Sequence, residues 1–184
     1  MKRVFLIHGW EGRPDNHWFP WLSLELKANG FEVHAPQMPH ADRPKVKEWL
    51  SFLTDYAGKP DKDTYFVGHS LGCITVARYL ETLPPKARVG GCVFVAGFSG
   101  RLNIPEIREF YEVPFDPEKA KAHCDNFVMI FSDNDPYVPM EKSLEFAGEL
   151  GAKTILLRGK GHFTADDGVR ALPSALSALL KMAS

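Results

Sequence analysis

Three stretches of this chain carry the side-chain types that nucleophilic acyl chemistry uses: "GHSLG" at 68–72, "SDNDPYVP" at 132–139 and "GKGHF" at 159–163. A serine hydroxyl attacks a carbonyl well only when a base takes its proton, and a histidine base needs a carboxylate to fix its tautomer. Ser70 is the candidate nucleophile. Glycine at 68 and 72 is what a sharp strand-to-helix turn demands, because side chains on either flank would run into the next helix and strand. On such a turn the hydroxyl stands clear of the backbone, and the Leu71 amide at the helix N-terminus points where an oxyanion forms. The plainer reading of Ser70 is a helix N-cap; its place between a buried strand and a helix favours the nucleophile.

Seven histidines could serve as the base. His162 follows the last apolar run, with Gly161 before it to let a loop turn back over the sheet. His69 adjoins Ser70 and is expected to point away from it, His8 to brace the turn after the first strand, and His17 to lie in the loop beyond. His34, His40 and His123 have no motif around them and read as structural or solvated. For the acid, Asp135 precedes Pro136, which biases it toward extended backbone in a loop. Asp133 reads as a turn-forming or capping residue, and Asp166 and Asp167 as first-turn acids of the last helix.

These residues need a frame that brings them together. Six short apolar runs, "RVFLI", "FEVHA", "TYFVG", "GCVFVAG", "NFVMIF" and "KTILL", alternate with helical patterns near 18–29, 44–57, 71–83, 140–150 and 170–182. Alternation of this kind predicts parallel strands joined by crossover helices, and continuous rather than alternating apolar runs predict helices on both faces. Gly30 is placed as the residue after the first helix and Pro139 as the first residue of the fourth. The fold expected is α/β, a doubly wound, mostly parallel six-stranded sheet in the order 2-1-3-4-5-6. A second oxyanion donor, the Trp10 amide in "HGWEG", requires strands one and three to be neighbours, and ligands then bind where the strand order reverses. The stretch 101–126 breaks the rhythm: too long for a connection and too short for a cap domain, it is expected to form a lid or pocket wall.

At 184 residues and 45% apolar content the chain is expected to form one domain, 1–184, without help from disulfides or metals. A net charge of −1 offers no basic footprint for nucleic acid. The apolar run near the N-terminus stops at His8, too soon for a signal peptide, and nothing later is long enough to insert in a membrane, so a soluble, cytoplasmic protein is expected. Cys73, Cys92 and Cys124 are odd in number and widely spaced, which predicts small buried thiols rather than a disulfide framework or zinc site. No Walker loop, G-x-G-x-x-G or HExxH is present, so no cofactor and no metal is expected.

The order Ser70, Asp135, His162, with "HGWEG", "GHSLG", "DPYVP" and "GHF", resembles that of the α/β-hydrolases. A closer resemblance, over essentially the whole chain, is to the compact serine hydrolases of the YdeN and retinoblastoma-binding-protein-nine type. It rests on "IHGWEGRPDNHWFPWL", "YFVGHSLGC", "VFVAGF", "VPFD" and "GKGHF", with "NHWFPWL" pointing to the YdeN-like branch. The resemblance implies a minimal hydrolase fold without a large cap domain and a triad of Ser70, Asp135 and His162. Trp10 and Glu11 depart from the glycine-rich turn of other members, and a carboxylate there disfavours anionic substrates. The expected activity is cleavage of small carboxylic esters or small amides through an acyl-enzyme, with Trp10 and Leu71 as oxyanion donors. Trp18, Phe98 and Phe110 are candidates for an apolar acyl pocket, with Trp10 and Phe19; Trp21 reads rather as core. The alternatives are a binding or scaffold protein with a dormant triad, and an acyltransferase or perhydrolase using the same serine.

Overall fold

The computed structural model describes residues 1–184. The strands β1 (Arg3–Ile7), β2 (Glu32–His34), β3 (Thr64–His69), β4 (Gly91–Val95), β5 (Phe127–Phe131) and β6 (Lys153–Leu156) form one parallel sheet in the order β2-β1-β3-β4-β5-β6. Seven helices accompany it: α1 (Phe19–Ala28), α2 (Val46–Ala57), α3 (Leu71–Glu81), α4 (Glu109–Glu112), α5 (Pro117–Lys121), α6 (Met140–Leu150) and α7 (Pro173–Met182). None is long and apolar enough to cross a membrane.

The apolar runs are continuous because successive side chains enter different cores. Phe5, Ile7, Phe66, Phe94, Met129 and Phe131 pack on one face of the sheet with Trp49, Ile74 and Phe146 of α2, α3 and α6. Val4, Leu6, Val67, Val93, Val95 and Ile130 pack on the other with Leu22, Leu26, Ala175 and Leu179 of α1 and α7. With a period of two and both faces covered, no position in the central strands is left for a polar residue to face water.

Several boundaries differ from the sequence reading. Gly30 follows α1 with φ +82°, as expected of a residue closing a helix. Pro139 sits one residue earlier than expected, as the N-cap of α6. The last helix starts at Pro173 rather than near 170, because a proline at the first helical position lacks only an N–H that would go unbonded there. Asp166 and Asp167 therefore lie in the preceding turn and not in the first turn of α7.

The stretch 101–126 is fastened to the body. It contains a 3₁₀ turn (Pro105–Ile107), α4 and α5. The buried Arg78 guanidinium of α3 donates to the carbonyls of Phe110, Val113 and Pro114 at the end of α4. Glu109 accepts from the Val46 amide at 2.8 Å, and Tyr111 donates its phenol to the Leu102 carbonyl at 2.8 Å.

The tightest approach of backbone to backbone lies between α3 and β1, where a methyl group built on Gly72 would sit 2.1 Å from the Ile7 carbonyl oxygen. Gly72→Ala is expected to destabilise the protein by about 3 kcal/mol or more. Gly148→Ala in α6, where a methyl group meets nothing within 4 Å, is expected to stabilise it by about 0.5–1 kcal/mol. Urea midpoints of the two variants check both signs.

Candidate active site

The candidate site grows from the turn between β3 and α3. Ser70 adopts φ 53°, ψ −120°, a backbone conformation that costs a residue with a side chain on the order of 1–3 kcal/mol. Its neighbours enforce it. A methyl group on Gly68 would lie 2.7 Å from the backbone of Cys73, and the Ser70 amide donates to the Val95 carbonyl of β4 at 2.8 Å. Ser70 gives its side chain to no helix cap, although it occupies the N-cap position. On the far side, a methyl group on Gly9 would sit 3.0 Å from Ser70 Cβ and 3.1 Å from the His69 carbonyl oxygen, so glycine at 9 lets the two turns pack closely.

The loop after β5 reads residue by residue onto the loop after β6. Gly159 N–H donates to Asp133 Oδ1, Lys160 N–H to Ser132 Oγ and Gly161 N–H to Asn134 Oδ1, at 2.8, 2.9 and 2.8 Å. His162 Nδ1–H donates to Asp135 Oδ2 at 2.8 Å. The other Asp135 oxygen accepts from the amides of Tyr137 and Val138, both at 2.9 Å, which sets the plane of the carboxylate. Asp135, and not Asp133, thus meets the imidazole. Its side chain is 2% exposed, so the pair is shielded from water. Ser70 and His162 border the same cavity but are not hydrogen-bonded to one another. Such bonds are often loose in unliganded enzymes and tighten with substrate.

Oxyanion donors are available on two sides. Leu71 opens α3, so its amide has no acceptor within the helix. The Trp10 amide donates to no other backbone group, whereas its neighbours Glu11 and Gly12 are bonded to Ala41 and Gly9. His8 braces this loop: Nδ1–H donates to the Gly9 carbonyl at 2.8 Å and Nε2 accepts from the Met38 amide at 2.9 Å.

The cavity beside Ser70 measures about 260 Å³. Ile104, Ile107, Tyr137 and Val138 supply its apolar surface, and Glu11, Arg13, Asn16, His17 and Thr164 its polar surface. The aromatic pocket expected from the sequence is there only in part. Trp18, Phe98 and Phe110 are each fully buried, Trp18 in the core beneath α1 and the two phenylalanines in the opposite core. Large apolar rings gain most from complete burial, and the core claimed them. Of the aromatics considered, Trp10 and Phe19 border the cavity, while Trp21 packs against the α1 side. The 101–126 stretch contributes Ile104 and Ile107 as wall. No three His, Cys, Asp or Glu side chains converge as ligands for a metal, and all three cysteines are free and buried.

Asp167, His69 and His17, to which the sequence gives no part in the chemistry, all hold the loop that carries His162. Asp167 Oδ2 accepts from the amides of His162 and Thr164 at 3.0 Å each and orders the turn that carries His162. Burial pushes its carboxyl up, but the bond from the Thr164 hydroxyl, at 2.7 Å, together with those from the two amides outweighs it and the net shift is downward. His69 does point away from Ser70, and its ring donates to the His162 carbonyl. His17 Nδ1 accepts from the Ala165 amide at 3.0 Å. The contacts of His69 and His17 leave no mark in sequence, since each joins a ring to a backbone group about a hundred residues or more away, whereas those of Asp167 span only three and five residues.

Residues 4–181 match the family model described as "Serine hydrolase". YdeN of Bacillus subtilis (strain 168) is 35% identical over 173 residues, 94% of this chain and 91% of that one. The crystal structure of the B. subtilis ydeN gene product superposes with a TM-score of 0.93 over 99% of this chain and 98% of that one. Serine hydrolase RBBP9 of Rattus norvegicus is 30% identical over 149 residues, 79% of this chain and 77% of that one. Est1E of Butyrivibrio proteoclasticus, 17% identical over 98% of this chain and 88% of that one, has a TM-score of 0.75 and shares the fold.

Burial lowers the pKa of His8, His17 and His69, most strongly that of His69. In the unfolded chain these imidazoles take up protons near pH 6.5. Below that value the unfolded state binds more protons than the folded one, so stability is full above about pH 6.5 and declines as pH falls toward the lowered folded values. Each such histidine contributes a slope of at most about 1.4 kcal/mol per pH unit. Urea midpoints are expected to fall between pH 7 and 5.5, less steeply in His69→Gln. A midpoint flat over that range contradicts the assignment of buried neutral imidazoles.

Proposed function

The chain belongs to the serine hydrolase family, and from that premise we propose that it cleaves small carboxylic esters or small amides through an acyl-enzyme on Ser70. The observation that carries the reading is the 2.8 Å bond from His162 Nδ1–H to a shielded Asp135 carboxylate, beside a cavity that Ser70 also borders. A carboxylate on Nδ1 leaves Nε2 unprotonated and able to accept the serine proton.

In this mechanism Ser70 Oγ attacks the acyl carbonyl while His162 Nε2 takes its proton, and Asp135 holds the imidazolium that results. The carbonyl oxygen gains negative charge and is met by the amides of Trp10 and Leu71. His162 then returns the proton to the leaving alcohol or amine. Water, deprotonated by the same imidazole, releases the acyl group and restores Ser70. The cavity of about 260 Å³ is smaller than typical drug-sized sites of about 300–1,000 Å³ and suits short acyl groups. Glu11 and Arg13 both border it without an ion-pair partner, so polar groups on a substrate are tolerated at its rim.

A fluorophosphonate probe is expected to modify the wild-type protein at Ser70 and to leave Ser70→Ala unlabelled. Turnover of a short-chain p-nitrophenyl ester is expected to fall by about 10⁴-fold in Asp135→Asn, where the imidazole tautomer is no longer held. Asp133→Asn should cost less than about tenfold, since that carboxylate bonds only backbone and Arg158. Activity is expected to fall on acidification, because the base must be neutral to accept a proton. Absence of labelling in the folded wild type would sink the reading.

A further inference from the structure

His69 has no place in the chemistry just described, yet it is one of the most enclosed polar side chains of the molecule, 5% exposed. Its Nε2–H donates to the carbonyl of His162 at 2.8 Å. A carbonyl oxygen can only accept, so this bond also fixes the His69 tautomer. The rings of His69 and His162 lie 5.0 Å apart, and that of His17 lies 5.6 Å from His69. His17 in turn accepts from Ala165, three residues beyond His162.

The turn that carries His162 needs holding. Gly161 and Phe163, on either side, have φ of 51° and 58°, and for Phe163 that is a strained conformation. The His162 amide is tied down by Asp167 from within the turn, but its carbonyl is tied by His69, which belongs to the nucleophile's own turn. Ser70 and His162 share no hydrogen bond here. The covalent link from Ser70 to His69, followed by the bond from His69 to the His162 carbonyl, is therefore a short connection between hydroxyl and imidazole.

Resting on the reading of Ser70 and His162 as nucleophile and base, we propose that His69 is a positioning residue for His162, seconded by His17. His69 holds the carbonyl of the base, His17 holds the amide three residues on, and together they keep the turn that carries the imidazole beside the turn that carries the hydroxyl. Burial keeps both rings neutral, so neither places a positive charge beside the imidazolium that forms during reaction. A displacement of about 1 Å at a reacting group can cost about 100-fold in rate, which gives such a clamp its leverage.

The two amide residues separate positioning from mere filling of space. Glutamine at 69 can put an N–H where Nε2 stands, and asparagine at 69 is too short. The rate of fluorophosphonate labelling is measured per folded molecule, with the folded fraction taken from urea melts, and kcat and KM are measured on a short-chain p-nitrophenyl ester. His69→Gln is expected to stay within about threefold of wild type. His69→Asn and His69→Phe are expected to lose about 10- to 100-fold in labelling rate and kcat, with KM changed less than about threefold. If His69→Phe fails to fold, the second clamp carries the test. There His17→Asn keeps an acceptor near the Nδ1 position and should retain activity, and His17→Phe should lose at least about fivefold in kcat at constant KM. Equal rates in His69→Gln and His69→Phe, or a loss confined to KM, overturn the inference while leaving Ser70 as nucleophile. A wild type that takes no label overturns the underlying reading instead.

Discussion

The contact between α3 and the end of β1 sets the geometry of everything above the sheet. With only hydrogen on its α-carbon, Gly72 lets the helix settle against the Ile7 and His8 carbonyls. That approach brings the opening of α3, with the Leu71 amide, beside the loop that carries the Trp10 amide. The same crowding fixes Ser70 in a conformation that no isolated peptide would choose. Strain at one residue is tolerable here because the β4 carbonyl of Val95, the Gly68 contact and two cores all act against its relaxation.

A second constraint operates between the loops after β5 and β6. Four consecutive side chains, Ser132 to Asp135, bond four consecutive residues, Gly159 to His162. The carboxylate proposed to orient the base therefore arrives on the scaffold that builds the base's loop. The strands are neighbours in register, so the loops leave the sheet side by side. This gives a run as polar as "SDND" its place: its side chains satisfy backbone N–H groups of a loop that has no strand partner to bond.

The 101–126 stretch shows a different use of charge. Arg78 is buried in α3 and spends its guanidinium on the carbonyls that end α4, with Glu81 within 3.7 Å. A planar group with five donors suits a helix terminus, where several carbonyls lack partners. The stretch is thereby a wall of the cavity, and its rings go inward: Phe110 stands against Trp49 and Phe115 against Phe146. What remains facing the cavity is aliphatic and small.

Local signals sufficed where the physics is local. Continuous apolar runs of five or six residues, spaced by helical periods, determined a parallel sheet covered on both faces, and the need to set "HGWEG" beside "GHSLG" determined its strand order. Glycine on both flanks of Ser70, and proline after Asp135, marked out candidate residues because a turn and an extended loop have short-range requirements. The aromatic pocket was beyond that reach, since Trp18, Phe98 and Phe110 look alike in sequence whether they line a void or fill a core. So were the roles of His17 and His69, and the way Arg78 closes the 101–126 stretch. Each of those depends on a side chain meeting a backbone group far along the chain, and backbone N–H and C=O groups are the same at every position. Only the folded chain decides which of them stand unpaired within reach.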